Sequence, residues 1–164
     1  MILTEEMQKI MNLIQDDENN VFVTGKAGSG KTTFLKYLIK KSGKNCIVAA
    51  PTGIAAINAG GVTLHSLFGI PFGPITPYDR LENKFSEYKV ELLLKMELLI
   101  IDEISMVRAD LLDAIDSVLR RYRDRYKPFG GVQLLMIGDL QQLAPVVKET
   151  EWNMLNHYYD TSYF

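Results

Sequence analysis

The sequence predicts one α/β domain with a mostly parallel central sheet and helices on both faces. Four short apolar runs without polar alternation are separated by segments of helical periodicity, which is typical of parallel strands buried on both faces. Polar residues directly follow these runs, and ligands of open α/β sheets bind at the carboxyl ends of the strands. A length of 164 residues is that of a single domain, here residues 1–164.

The composition excludes several classes of protein. Hydrophobic residues make up 47% and charged residues 23%, and the net charge is -2. This charge argues against coating of nucleic acid or membrane by the whole surface, but it leaves room for one local groove. The single cysteine, Cys46, lies in an apolar run and is predicted to be a core thiol. Without a leader pattern or an 18-residue apolar span, the chain is expected to be cytoplasmic, with no membrane partner.

In the first part of the chain, helices and strands are predicted to alternate. Apolar residues at helical spacing mark the first helix, and Thr4 is a suitable N-cap for it. A short apolar run beginning at Val21 predicts the first strand. The following elements are a helix over Thr33–Lys41, a strand over Cys46–Ala50 and a short helix over Thr52–Asn58.

The second part continues the alternation after a proline- and glycine-rich surface loop, Gly69–Pro77. The predicted elements are a long surface helix over Arg80–Lys95, a strand over Leu98–Ile101, a helix over Ala109–Arg121 and a strand over Val132–Ile137. Basic residues cluster at the C-terminal end of the last of these helices, at Arg120, Arg121, Arg123, Arg125 and Lys127. They could contact phosphates, but favourable placement at the negative end of a helix is the simpler interpretation.

A glycine-rich segment between the first strand and the second helix carries the clearest chemical signal. It fits G-x-x-x-x-G-K-[ST], in which the backbone curls so that successive N–H groups face a phosphate. Lys31 would neutralise the β and γ phosphates, and the Thr32 hydroxyl would bind Mg²⁺. The alternative is a glycine-rich turn with a solvated lysine. The predicted nucleotide-binding residues are Gly25, Ala27, Gly28, Ser29, Gly30, Lys31, Thr32 and Thr33.

Two polar groups at the ends of buried strands fit phosphoryl transfer to water. Asp102 could hold Mg²⁺ through water, and Glu103 could polarise the attacking water. Gln142 follows the last strand, where an amide could contact both a γ-phosphate and the water, and so sense the phosphate. With Lys31, these three residues form the predicted catalytic set. Without the glycine-rich loop, the acidic pair would be interpreted as a cap at the start of a helix, and the segment around Gln142 would be interpreted as a turn.

Several ordered motifs resemble those of the petite-integration-frequency (PIF-type) 5′ to 3′ DNA helicases. They include Ala50-Pro51-Thr52-Gly53-Ile54-Ala55-Ala56, Leu64-His65-Ser66-Leu67-Phe68, Ile101-Asp102-Glu103-Ile104-Ser105-Met106 and Gly138-Asp139-Leu140-Gln141-Gln142-Leu143. A stretch from Asp110 to Leu134 resembles the signature that separates this family from its RecD-type cousins. The resemblance implies the RecA-like P-loop NTPase fold of a first motor domain. It also implies ATP and Mg²⁺ as cofactors and translocation on single-stranded DNA.

The resemblance further implies which residues contact DNA. In the family, the motif after the second strand contacts the DNA backbone, and the matching residues here are Pro51, Thr52 and Gly53. The next motif of the family implies DNA contacts by His65, Ser66 and Phe68. Small residues let a phosphate approach backbone N–H groups, while a histidine and a phenylalanine could stack on an unpaired base. For His65 and Phe68, core packing is the alternative.

The sequence departs from the family pattern in three places. Met7 stands where the family has an adenine-reading glutamine, and the glutamine of this chain, Gln8, comes one position later. Ala144 stands where the family usually has a proline. The sequence ends at Phe164, before the second motor domain and its arginine fingers, so this chain alone is expected to bind ATP with Mg²⁺, hydrolyse it slowly and unwind nothing. The second motor domain is therefore an expected partner. The aromatic tail predicts weak self-association.

Two functions from other classes stay open at this point. One is an autonomous P-loop phosphotransferase, which would need an acceptor pocket and a lid arginine. The other is an interaction module that uses nucleotide as a switch, for which Glu103 would have no purpose.

Overall fold

Five parallel strands form one sheet in the computed structural model, which describes residues 3–17, 19–25, 28, 30–82 and 84–164. Within those ranges the strand order is β1-β5-β4-β2-β3, with every pairing parallel. This confirms the predicted α/β class, and the short edge strand β3 adds a fifth strand to the four predicted apolar runs. The strands are β1 (Val21–Thr24), β2 (Cys46–Ala50), β3 (Val62–Thr63), β4 (Leu98–Ile101) and β5 (Gln133–Gly138).

Seven α-helices connect these strands in the described part of the chain. They are α1 (Glu5–Gln15), α2 (Lys31–Lys41), α3 (Gly53–Ala59), α4 (Leu64–Phe68), α5 (Glu87–Lys95), α6 (Ala109–Tyr122) and α7 (Glu149–Leu155). Thr4 caps α1 as predicted, because its side chain accepts the N–H of Met7. Among these helices none has the length and apolar character needed to cross a membrane.

The predicted helix over Arg80–Lys95 is wrong in its first half, since α5 begins only at Glu87. Ser86 starts the helix, because its hydroxyl accepts the N–H of Lys89 at 3.3 Å. The described residues before Ser86, 80–82 and 84–85, are not helical. Phe85 lies against Tyr122 of α6, with 5.0 Å between ring centroids, and Leu81 is buried.

Helices cover both faces of the sheet, as predicted. In β4, Leu98 and Ile100 face the cluster formed with α1 and α2, whereas Leu99 and Ile101 face the cluster formed with α4, α5 and α6. All four side chains are completely buried. This two-sided burial explains why the strand shows no polar alternation.

The basic cluster at the C-terminal end of α6 makes mainly contacts within the domain. Arg120 pairs with Asp116 at 2.7 Å, and Arg121 donates to the carbonyl of Leu81. Arg123 donates to the carbonyl groups of Leu93 and Leu94 at 2.8 and 2.6 Å, which lie near the end of α5. These contacts support the simpler interpretation of the cluster.

Cys46 is half-buried rather than fully buried, at the start of β2. Burial raises the pKa of its thiol, against the effect of a contact with the Ser42 hydroxyl. A raised pKa keeps the thiol protonated and unreactive at neutral pH, in agreement with a packing role.

The aromatic tail folds back onto the domain. Phe164 meets Phe22 of β1 edge to face at 5.6 Å, and the hydroxyl of Tyr159 donates to Asp113 at 2.9 Å. Tyr158 contacts Tyr78. Met154 nevertheless stays half-exposed, so weak self-association stays a prediction.

Two glycines give a test of the fold. A Cβ added at Gly61 would lie 2.2 Å from the carbonyl oxygen of Val48, whereas a Cβ at Gly53 would meet open space. We expect Gly61→Ala to lower the free energy of unfolding by about 1–3 kcal/mol through overpacking. Gly53→Ala, in the first turn of α3, should leave it unchanged or raise it. Urea unfolding of the two variants measures the difference between their free energies of unfolding. Equal unfolding midpoints would contradict the packing of β2 against the turn that contains Gly61.

Candidate active site

A cavity of about 410 Å³ opens at the carboxyl edge of the sheet, where β1, β4 and β5 end. Its walls come from three separate segments of the chain, and every lining residue is one of the predicted catalytic or nucleotide-binding residues. The lining residues are Gly28, Gly30, Lys31, Thr32, Thr33, Glu103 and Gln142. The fold therefore brings together side chains that lie more than 100 positions apart.

The glycine-rich segment leads from β1 into the first turn of α2. Gly28 and Gly30 both have φ of 82°, a left-handed conformation that glycine adopts without strain. From Lys31 onwards the chain is helical, so the positive end of the α2 dipole lies at the cavity wall. Lys31 donates a hydrogen bond to the Gly25 carbonyl. Ala27 and Ser29 lie outside the described residues.

The acidic pair leaves the sheet in a tight turn. The N–H of Asp102 extends the ladder to the Ala49 carbonyl at 2.9 Å, and its carboxylate accepts the N–H of Glu103 at 2.9 Å. Glu103 has φ 54° and ψ 43°, a left-handed conformation that costs a non-glycine residue about 1–3 kcal/mol. The turn brings the Glu103 side chain to the cavity wall.

Acidic side chains gather beside the cavity. Burial raises the pKa of Asp102, and the nearby Lys31 only partly opposes this. The pKa of Glu103 is also raised, first by burial and then by the neighbouring charges of Asp102 and Asp139, again against Lys31. A bound divalent ion would offset this accumulation of negative charge.

The residues present fit Mg²⁺. Thr32 and Glu103 line the cavity, and the charge of Lys31 acts on the pKa of Asp102, the chain neighbour of Glu103. Mg²⁺ prefers oxygen ligands and is commonly held by one or two protein groups, water and substrate phosphates. In the described ranges, no group of three or more His, Cys, Asp or Glu side chains could hold a metal by itself.

The segment after β5 places Gln142 on the cavity wall. The Asp139 carboxylate accepts the N–H of Gln141 at 2.9 Å, and the Asp139 carbonyl accepts the N–H of Gln142 at 3.0 Å. Gly138 is required at this point, because a Cβ there would lie 2.9 Å from a methyl group of Ile104. Gln8, by contrast, is exposed on α1 and donates to Asn12 at 3.1 Å, so the structure does not bring it to the cavity lining.

A second cavity, of about 210 Å³, lies beside the end of β2. Pro51, Thr52 and His65 from the predicted DNA motifs line it, together with Phe72 and Arg108. Thr52 caps α3 by accepting the N–H of Ala55 at 3.2 Å. Two further predicted residues, Gly53 and Ser66, are exposed outside its lining.

Phe68 does not have the position that base stacking requires. Its side chain is completely buried among the core residues of the sheet face that α6 covers, and it follows Leu64 and Leu67 at helical spacing. The expectation that Phe68 stacks on a base is therefore corrected to core packing. Phe72, by contrast, is 87% exposed and stacks on His65 with 4.6 Å between ring centroids.

His65 lies between the second cavity and the core. Its Nδ1 atom is buried and has no hydrogen-bond partner among the described residues. Burial lowers the pKa of the imidazole, and so does the charge of Arg108, with Asp110 opposing. His65 is therefore neutral at pH 7.

Comparison with known proteins identifies the family. The profile of the PIF1-like helicases matches residues 2–163. The chain belongs to the PIF1-like helicase family. It is 42% identical over 98% of its length to the ATP-dependent DNA helicase RRM3 of Saccharomyces cerevisiae, and 39% identical over 91% of its length to human ATP-dependent DNA helicase PIF1. In each case it spans 23% of the relative's length.

Solved structures of PIF1-like helicases share the fold. The chain is 82% identical to a Bacteroides Pif1 helicase in complex with ADP-AlF3 and single-stranded DNA, with a TM-score of 0.96 over all of this chain and 38% of that one. It is 36% identical to Candida albicans Pif1, with a TM-score of 0.76 over 92% of this chain and 35% of that one. The RecA-like fold implied by the motifs is thus confirmed.

The lowered pKa of His65 predicts how stability responds to pH. The unfolded chain, with an ordinary histidine pKa near 6.5, takes up a proton before the folded chain does. His65 therefore contributes a loss of stability as pH falls through about 6.5. Urea unfolding at about pH 7.5 and pH 5.5 measures the free energy of unfolding at each pH. The loss that His65 contributes at the lower pH should be present in the native sequence and absent in His65→Gln. A His65 NMR titration midpoint at or above 6.5 would contradict the burial of this side chain.

Proposed function

We propose that this chain is the ATP-binding first motor domain of an ATP-dependent 5′ to 3′ DNA helicase that translocates on single-stranded DNA. One observation carries the proposal: a single cavity unites the glycine-rich loop, Glu103 and Gln142. Phosphate binding, water activation and phosphate sensing need these three kinds of group within reach of one nucleotide. The family of the chain supports DNA as the track.

Each residue has a specific task in ATP hydrolysis. The first turn of α2 and Lys31 bind the phosphates, while Thr32 and Asp102 would hold Mg²⁺, Asp102 through water. When bound, Mg²⁺ neutralises charge that develops on the phosphate oxygens. Glu103 accepts a proton from the attacking water and orients it. Gln142 donates to the γ-phosphate and so detects its presence.

The cavity wall contributes no arginine among the described residues. An arginine that contacts the transferred phosphate typically raises turnover by about 10³ to 10⁵. We therefore propose that this chain alone binds ATP with Mg²⁺, hydrolyses it slowly and does not unwind DNA. A second motor domain, in the additional length that the relatives have, would supply the arginine and close over the nucleotide.

The second cavity is the proposed contact with single-stranded DNA. Pro51, Thr52 and Gly53 would offer backbone N–H groups to a phosphate at the start of α3. His65 and the exposed Phe72 form a stacked pair at the rim, and every base offers a face to such a pair. Ser66 would add a hydroxyl beside them.

Two substitutions separate binding from catalysis. Lys31→Ala removes a charged contact with the phosphates and should weaken binding of Mg²⁺ and ATP by about tenfold or more. Glu103→Gln leaves the phosphate contacts in place, so affinity should stay unchanged, while the single-turnover hydrolysis rate falls by about 10² or more. Calorimetry and quenched-flow measurements give the two quantities.

The outcome of these experiments also decides between the alternatives. Unchanged turnover in Glu103→Gln would contradict the proposed water activation and favour a module that uses nucleotide only as a switch. Phosphorylation of a small-molecule acceptor would favour an autonomous phosphotransferase.

Phe72 provides a test of the DNA contact. Loss of one stacked base costs about 1–3 kcal/mol, so Phe72→Ala should weaken binding of a single-stranded oligonucleotide by about fivefold to 100-fold. Tyr78→Ala is the matched control, because Tyr78 is an aromatic residue of similar exposure, 80% against 87%, that lies outside the second cavity. Equal losses in fluorescence anisotropy titrations of the two variants would contradict a specific role for Phe72.

A further inference from the structure

Arg108 contacts three segments of the chain. It lies five positions after Glu103, beyond a short turn over Ile104–Met106. Its Nη2 donates to the Gly73 carbonyl at 2.8 Å, and its Nη1 donates to a carboxylate oxygen of Glu151 in α7 at 3.4 Å. The side chain is mostly buried, with 15% exposed.

Asp110 fixes the orientation of this guanidinium group. Its two carboxylate oxygens accept hydrogen bonds from Nε and Nη2 of Arg108 at 2.9 and 2.7 Å, in a bidentate arrangement. Asp110 also accepts the N–H of Ile75 at 2.9 Å and is only 1% exposed. The loop that carries Phe72 and Gly73 is therefore held to the start of α6 from two directions.

The contact with Gly73 reaches the proposed DNA site. Gly73 is the chain neighbour of Phe72, and both residues line the second cavity together with Arg108. A movement of the Arg108 side chain must therefore move this carbonyl or break its hydrogen bond. That carbonyl belongs to the residue that directly follows Phe72, whose ring stacks on His65.

The contact with Glu151 reaches the segment that carries Gln142. The same carboxylate oxygen that accepts from Arg108 also accepts the N–H of Lys148 at 3.1 Å, at the first turn of α7. The segment between Asp139 and Lys148 contains Gln142 and ends at this contact. Arg108 thus touches one end of a segment whose other part lines the nucleotide cavity.

We propose that Arg108 couples the nucleotide site to the single-stranded DNA contacts. It is a positioning residue: it acts through Gly73 and Glu151 and lies outside the nucleotide cavity. A shift of the Glu103 turn or of the Gln142 segment on nucleotide binding would pass through this guanidinium group to Phe72. Lysine keeps the charge but cannot make the forked contact with Asp110 and reach both other partners. The inference rests on the proposed function, because it assumes a nucleotide in the first cavity.

The chain contains natural reporters for this coupling. It has two histidines and one tryptophan. His65 stacks on Phe72, and Trp152 follows Glu151 and borders a small gap with Arg108. Neither reporter lines the nucleotide cavity, so a response of either to nucleotide requires transmission through the protein.

The experiment adds Mg²⁺ and the non-hydrolysable analogue AMP-PNP to this chain. The Cε1–H resonance of His65 and the emission of Trp152 should both change at saturation. In Arg108→Lys the nucleotide affinity should stay the same, while the nucleotide-induced change of the His65 resonance falls by about fivefold or more. A factor of about five is the lower end of the coupling that is typical between two sites. Glu151→Gln should abolish the Trp152 response without lowering nucleotide affinity.

Matched variants distinguish coupling from general damage. Arg120→Lys alters an ion pair on the same helix, with Asp116, and Glu149→Gln alters an exposed glutamate on the same helix as Glu151. Both should respond like the native sequence. If Arg108→Lys does not fold, the comparison of Glu151→Gln with Glu149→Gln still tests the Trp152 response.

Three results would each overturn the inference. The first is an unchanged His65 response in folded Arg108→Lys, and the second is an unchanged Trp152 response in Glu151→Gln. The third is the absence of any His65 response in the native chain at saturating nucleotide. Failure of AMP-PNP to bind at all would instead refute the proposed function, so the two failures are distinguishable.

Discussion

The two-sided burial of β4 is the constraint on which the rest of the structure depends. Its four side chains are completely buried, two on each face, and each contributes about 1.5–3 kcal/mol on removal from water. A shift of one residue would exchange the two faces and bring Asp102 into the core. The acidic pair can therefore leave the sheet only at its carboxyl edge, where β1 and β5 also end.

Negative charge accumulates at this edge of the sheet. Asp102, Glu103 and Asp139 bring negative charge together, and the single cation described among the cavity-lining residues is Lys31. The left-handed backbone of Glu103 adds strain. In the proposed function, a divalent ion and the phosphates that accompany it would offset this charge.

Much of the fold and the nucleotide site could be predicted because their signals are local. The strands appear as apolar runs, α6 as a helical stripe, and the loop around Lys31 as a motif in its proper context. The burial of Phe68 was also readable, since Leu64, Leu67 and Phe68 have the spacing of a buried helix face. The resemblance of its motif to a DNA contact outweighed that pattern. For the helix predicted from Arg80, the capping residue Ser86 was the missed signal.

Other features could not be predicted because they depend on tertiary contacts. Phe72 is exposed between Ile70 and Ile75, which are buried, and no local pattern distinguishes it from an ordinary loop residue. Arg108 acquires its three partners only when the loop, α6 and α7 are folded together.

The most direct test of the account is the steady-state ATP turnover of this chain, with and without a single-stranded oligonucleotide, using Lys31→Ala as the blank. The account predicts that nucleotide binds but that turnover stays close to the blank in both conditions, because no arginine reaches the phosphates from the described cavity wall. Rapid turnover stimulated by the oligonucleotide would contradict it, since one domain would then contain the complete catalytic machinery.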